Sequence, residues 1–130
     1  MEKHIRVLLT KPTHDCHDRG VRYLARRLRD DGFEVIFTNF LLVEEVVNTA
    51  VQEDVAVIGV SVSSGGHMAV FEDLMNGLRG AEVGDVLVIG GGVIPNADAR
   101  ELEQWGVRKV FGPGSSAESL MTFIRENRKP

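Results

Sequence analysis

Five short apolar runs punctuate the chain, at residues 5–10, 33–38, 55–62, 85–89 and 108–111, and each is rich in branched side chains of the kind that favour strands. In the third run, Val55-Ala56-Val57-Ile58-Gly59-Val60 is continuously rather than alternately apolar. That pattern predicts a central parallel strand covered on both faces. The intervening segments switch to helical periodicity. Val21, Leu24, Ala25 and Leu28 repeat at helical spacing, with Gly32 placed to cap their helix. Val43, Val46, Val47, Ala50 and Val51 make a second stripe, and Phe71, Leu74, Met75 and Leu78 a third. A weaker fourth lies at 97–105, and Ala117, Leu120, Met121 and Ile124 form the fifth.

Strand and helix alternating at this spacing predict an α/β fold. Parallel neighbours need right-handed crossovers, so the expectation is a five-stranded parallel sheet with helices on both faces. The expected strand order is 2-1-3-4-5, a Rossmann-like arrangement of the flavodoxin type with its switch point between strands one and three. Loops 11–18, 61–67, 90–96 and 112–116 then open on one edge of the sheet. Residues 1–130 read as one domain, with only residues 128–130 as a frayed tail.

Composition narrows the classes. A net charge of −4 argues against a general nucleic-acid binder, which depends on a concentrated basic surface. Eight Lys/Arg against four Asp/Glu fall in residues 1–30, while residues 31–60 carry six acidic residues and no basic one. Much of the basic excess is Arg22, Arg26, Arg27 and Arg29 on one predicted helix, a pattern that marks a solvated face or a contact with another protein. Cys16 is the single cysteine, so no internal disulfide forms and a reducing, cytoplasmic setting is expected. No segment reads as a signal peptide or a membrane span.

The chemistry concentrates in the loops. Asp15-Cys16-His17-Asp18-Arg19-Gly20 follows the first strand, where open α/β folds place ligands. His17 can ligate a metal if its ring is held, and Asp15 is spaced to accept a hydrogen bond from the ring's other nitrogen. A zinc site from His14, Cys16, His17 and Asp18 is the competitor, but near-consecutive ligands rarely converge on one tetrahedral ion. Ser61-Val62-Ser63-Ser64-Gly65-Gly66-His67 supplies hydroxyls and close backbone approach, or else turn formers and caps, and His67 alone reads as structural. Gly90-Gly91-Gly92-Val93-Ile94-Pro95 invites a dinucleotide reading, yet Pro95 stands where the third glycine belongs. Phe111-Gly112-Pro113-Gly114-Ser115-Ser116 has the same small-residue character, with a turn and cap as the plain alternative. A phosphoacceptor receiver needs an Asp where Ser61 stands, and no serine occupies a nucleophile elbow. A flavodoxin needs a hydroxyl-rich loop after the first strand.

Together these loops resemble the cobalamin-binding domain of the methylmalonyl-CoA mutase family. Asp15-x-His17-x-x-Gly20 matches the family's D-x-H-x-x-G motif, Ser61 the serine of S-x-L, and the glycines at 90–92 its glycine pair. His17-Asp18-Arg19-Gly20, Gly91-Gly92-Val93-Ile94-Pro95 and Val110-Phe111-Gly112-Pro113-Gly114 look like signatures of the acyl-CoA mutase branch. The similarity runs from residue 5 to about 124. Three positions depart from the pattern: Ser63 replaces the leucine of S-x-L, Cys16 stands where glycine is frequent, and 40–45 lacks a Thr-Pro.

The resemblance implies a small subunit of an acyl-CoA mutase that binds adenosylcobalamin with His17 as the lower axial ligand of cobalt and Asp15 hydrogen-bonded behind it. Asp18, Arg19 and Gly20 complete that loop. The displaced nucleotide tail would lie in a slot lined by Ser61, Ser63, Ser64, Gly90, Gly91 and Gly92. Phe111, Gly112, Pro113, Gly114 and Ser115 would close its far end. The implied partner is a large barrel subunit that binds the acyl-CoA, so the chain alone would be inactive in the radical carbon-skeleton isomerisation. A stand-alone cobalamin carrier or sensor is the other reading.

Overall fold

The computed structural model describes residues 4–13, 15, 19–112 and 114–128. Strands and helices alternate: β1 (Arg6–Pro12), α1 (Arg19–Asp30), β2 (Glu34–Phe40), α2 (Val43–Glu53), β3 (Val57–Val62), α3 (His67–Gly80), β4 (Leu87–Gly92), α4 (Asn96–Gln104), β5 (Lys109–Phe111) and α5 (Ala117–Asn127). All pairings are parallel, in the order β2-β1-β3-β4-β5. The expected α/β architecture and strand order are both present.

Because side chains alternate across a strand, the sheet divides the core in two. Leu8, Ile58, Val60, Val62 and Val88 pack under α2, α3 and α4 with Phe71, Leu74 and Leu102. Val7, Leu9, Val57, Leu87 and Ile89 face the other way, against Val21, Ala25 and Leu28 of α1 and Leu120, Met121 and Ile124 of α5. Each fully buried side chain of this kind contributes about 1.5–3 kcal/mol.

Several elements differ from the sequence reading. Gly90, Gly91 and Gly92, expected in a loop, are the last three residues of β4 and pair with Val60, Ser61 and Val62 of β3. Ser61 lies in β3, within the third apolar run as read from the sequence. Backbone pairing in a central strand outweighs the weak strand preference of glycine. The fourth strand begins at Leu87 rather than at residue 85, and Val51, assigned to the apolar stripe of α2, is 48% exposed. That helix buries Val46, Val47 and Ala50, and Val51 lies a quarter-turn off the centre of their face. Gly32, at φ +94°, ends α1 as expected, with the Phe33 amide donating to the Leu28 carbonyl.

The start of α2 carries a device that its hydrophobic pattern does not reveal. Glu45 accepts hydrogen bonds from the amides of Leu41 and Leu42, at 2.8 and 2.7 Å, satisfying donors at the helix entry.

Candidate functional site

On the α1/α5 face the inward side chains shrink toward the carboxyl end of the sheet. In β3 Val57 gives way to the small Gly59 and Ser61, and in β4 Leu87 and Ile89 give way to Gly91. On the opposite face Ile58, Val60 and Val62 stay large, and Phe71 fills the space beside Gly90, 3.0 Å from where a Cβ would stand. Only one face therefore opens. The result is a cavity of about 560 Å³ between the sheet, α1 and α5.

The cavity collects residues from four loops and the strands that lead into them. Arg19 and Gly20 enter from the start of α1, Ser61 and Ser63 from β3 and its loop, and Gly90, Gly91 and Gly92 from β4. Phe111, Gly112 and Ser115 line it from β5 and the segment that follows. Ser64 and Gly114 are exposed and do not line it. His17, Asp18 and Pro113 lie outside the described residues, as do His14 and Cys16.

Most of the remaining wall is apolar: Leu9, Val21, Leu24, Ile89 and Leu120 line it, with Tyr23 and Val93. Periodicity alone places Val21, Leu24 and Leu120 in the core stripes. Gly59 lines it too, and as a glycine inside a buried strand it marks close approach by another group, here Leu9 Cδ2, 2.8 Å from where a Cβ would stand. Small residues, a few hydroxyls and apolar walls suit a planar or elongated group held by contact more than by hydrogen bonds.

Asp15 sits beside this space and is 1% exposed. Its Oδ2 accepts from the Ser63 amide at 2.6 Å, which joins the first and third loops. Lys11, also buried, donates to the Asp15 and Pro12 carbonyls. The hydrophobic pattern marks this lysine only as the start of a loop. Its place in the strand Val7-Leu8-Leu9-Thr10-Lys11 is the clue, because a buried ammonium needs fixed acceptors. Together the two contacts hold the backbone and carboxylate of Asp15 just ahead of His17.

Across the cavity, α1 and α5 are tied by Arg27, which donates to Glu118 and, at 2.9 Å, to the Tyr23 hydroxyl. The hydrogen bond from Arg27 holds the Glu118 carboxyl below its ordinary value of 4.5. A carboxylate depressed in this way stabilises the fold above its ordinary value and loses that contribution as pH falls through the lowered one. Comparing the unfolding midpoints of the parent and Glu118→Gln across pH is expected to show a difference above pH 4.5 that shrinks in acid. A difference independent of pH would sink this assignment.

The family model for the B12 binding domain matches residues 5–121. The chain is 46% identical over 122 residues to the 2-hydroxyisobutanoyl-CoA mutase small subunit of Aquincola tertiaricarbonis, covering 93% of this chain and 90% of that protein. It is 40% identical over 128 residues to the methylmalonyl-CoA mutase of Cereibacter sphaeroides, but covers 18% of that longer chain. A cobalamin-binding protein from Desulfitobacterium hafniense DCB-2 has the same fold, with a TM-score of 0.72 at 21% identity over 95% of this chain and 59% of that one. Among the described residues no helix is long and apolar enough to cross a membrane.

Proposed function

This chain belongs to the B12-binding domain family, and from that membership we propose that it is the cobalamin-carrying small subunit of an adenosylcobalamin-dependent acyl-CoA mutase. The observation that carries the reading is the cavity of about 560 Å³ at the sheet edge where Asp15 is held. The residues present fit the cofactor. Gly91 leaves room on the cavity face for an elongated nucleotide tail, and Asp15 is positioned two residues before the one motif histidine.

In this reading His17 would hold the cobalt through one ring nitrogen, and Asp15 would accept a hydrogen bond from the other, fixing the tautomer and strengthening the donor nitrogen. Asp18 follows His17 in the sequence, and Arg19 and Gly20, at the start of α1, line the cavity. Ser61 and Ser63, with the glycines at 90–92, flank the tail, and Phe111, Gly112 and Ser115 close its far end. When bound, adenosylcobalamin would supply radical chemistry; the chain would supply binding, orientation and the imidazole of His17.

A relative of nearly the same length that is named a mutase small subunit supports placing the acyl-CoA site on a separate large barrel subunit. The isolated chain is then inactive. Its single cysteine suits a reducing, cytoplasmic setting.

The test uses the full chain loaded with cobalamin reduced to the cobalt(II) form. Electron paramagnetic resonance reads the nitrogen bound below cobalt. Labelling the protein's histidines with nitrogen-15 is expected to turn each superhyperfine triplet into a doublet. Triplets that persist in the labelled protein would show that the cofactor's own benzimidazole still holds the metal, and the reading would fall.

A further inference from the structure

Two walls of the cavity come from different crossovers. Ser61 and Ser63 belong to β3 and its loop, whereas Gly91, Gly92 and Val93 belong to β4 and the loop that leaves it. At the strand ends the two are joined by the Val93 amide, which donates to the Val62 carbonyl at 3.2 Å. Beyond that point the chains diverge into α3 and α4. His67, the first residue of α3, meets Asp98, in the first turn of α4, with Nε2 and Oδ2 2.7 Å apart. Among the described residues it is the one side-chain hydrogen bond between these helices.

The chemistry fixes which atom does what. A carboxylate only accepts, so Nε2 carries the proton. Nδ1 is buried and has no hydrogen-bond partner. His67 thus works through a single atom. In the loop before it Gly65 and Gly66 both sit at positive φ, +89° and +77°, with no atom within 4 Å of where a Cβ would stand. One end of that loop is anchored where the Ser63 amide reaches Asp15, and the other where His67 reaches Asp98.

We propose that His67 is a positioning residue for the cofactor tail: its bond to Asp98 sets the spacing of loop 63–66 and loop 93–95, and with it the fit of the nucleotide tail of a cobamide. The proposal rests on the cobalamin reading above. It also assigns Asp98 a role that no motif marks.

The discriminating ligand is cobinamide, a corrinoid that lacks the nucleotide tail. Titrations of the full chain followed by absorbance are expected to show cobalamin bound about tenfold more weakly by His67→Ala, at the lower end for loss of an outer-shell contact. Cobinamide binding should be unchanged. His67→Gln, whose amide N–H can occupy the place of Nε2, should restore most of the cobalamin affinity. Asp98→Ala breaks the same bond from its exposed side and should give the same split, which decides the matter should the His67→Ala protein lack a cooperative melt. Equal losses for both corrinoids, no loss for either, or no rescue by glutamine would each overturn the positioning role. A parent protein that binds no cobalamin would instead overturn the cofactor reading.

Discussion

Gly92→Ala is expected to lower folding stability by about 3 kcal/mol or more. Gly92 ends β4 at φ +102°, a backbone conformation that strains a side chain by about 1–3 kcal/mol. Space is missing as well. A Cβ there would overlap the Val62 carbonyl oxygen and lie 2.7 Å from its carbon and 2.9 Å from Ser63 Oγ. The Val62 carbonyl is main chain in the central pair of the sheet and accepts from the Val93 amide, so relief requires loosening that hydrogen bond, worth about 1 kcal/mol. Domains of this kind have only about 5–15 kcal/mol in total. A melting temperature lower by roughly 10 °C follows. Gly80, at the end of α3 with no atom within 4 Å of where a Cβ would stand, is the control. Its alanine variant should be neutral or slightly more stable, since helix favours alanine over glycine by up to about 1 kcal/mol. If the two variants melted together, the close approach at Gly92 would not be a constraint.

How far the fold was legible depends on which signal each segment carries. The strand at 57–62 announced itself by continuous branched apolar residues, and α1 and α5 by their period. The strand order then followed from connection rules. The three glycines failed because a residue without a side chain carries no periodic signal, and only pairing with Val60, Ser61 and Val62 shows them to be strand. The walls of the cavity failed for a different reason. Periodicity marks Leu24 and Leu120 as inward-facing, but it cannot say that the sheet opposite them ends in Gly59, Ser61 and Gly91 rather than in larger residues. A gap in packing is a property of facing elements. Contacts such as His67 to Asp98 and Lys11 to the Asp15 carbonyl join groups whose proximity depends on tertiary structure or a local turn.

Gly91→Leu is expected to leave the apo fold intact and to weaken cobalamin binding about a hundredfold. Gly91 neighbours Gly92 but points to the other face, toward α1 and α5. A Cβ on it meets only the Phe111 carbonyl oxygen at 3.6 Å, an ordinary van der Waals distance, and its φ is not in the left-handed region. The backbone therefore accepts a side chain. A leucine would extend into the cavity beside Ser61, in the volume assigned to the nucleotide tail. Forcing the two to share it costs about 1–3 kcal/mol by the measure of overpacked cores, and the upper end of that range corresponds to about a hundredfold in affinity. Thermal melts of the apo protein should match the parent, and cobinamide, having no tail, should still bind. Parental affinity for cobalamin would place the tail outside this cavity. Loss of both corrinoids would mean that the leucine reaches the corrin site rather than the tail alone. The two adjacent glycines thus separate two demands on the same strand end, since Gly92 makes room for the protein's own main chain and Gly91 makes room for the ligand.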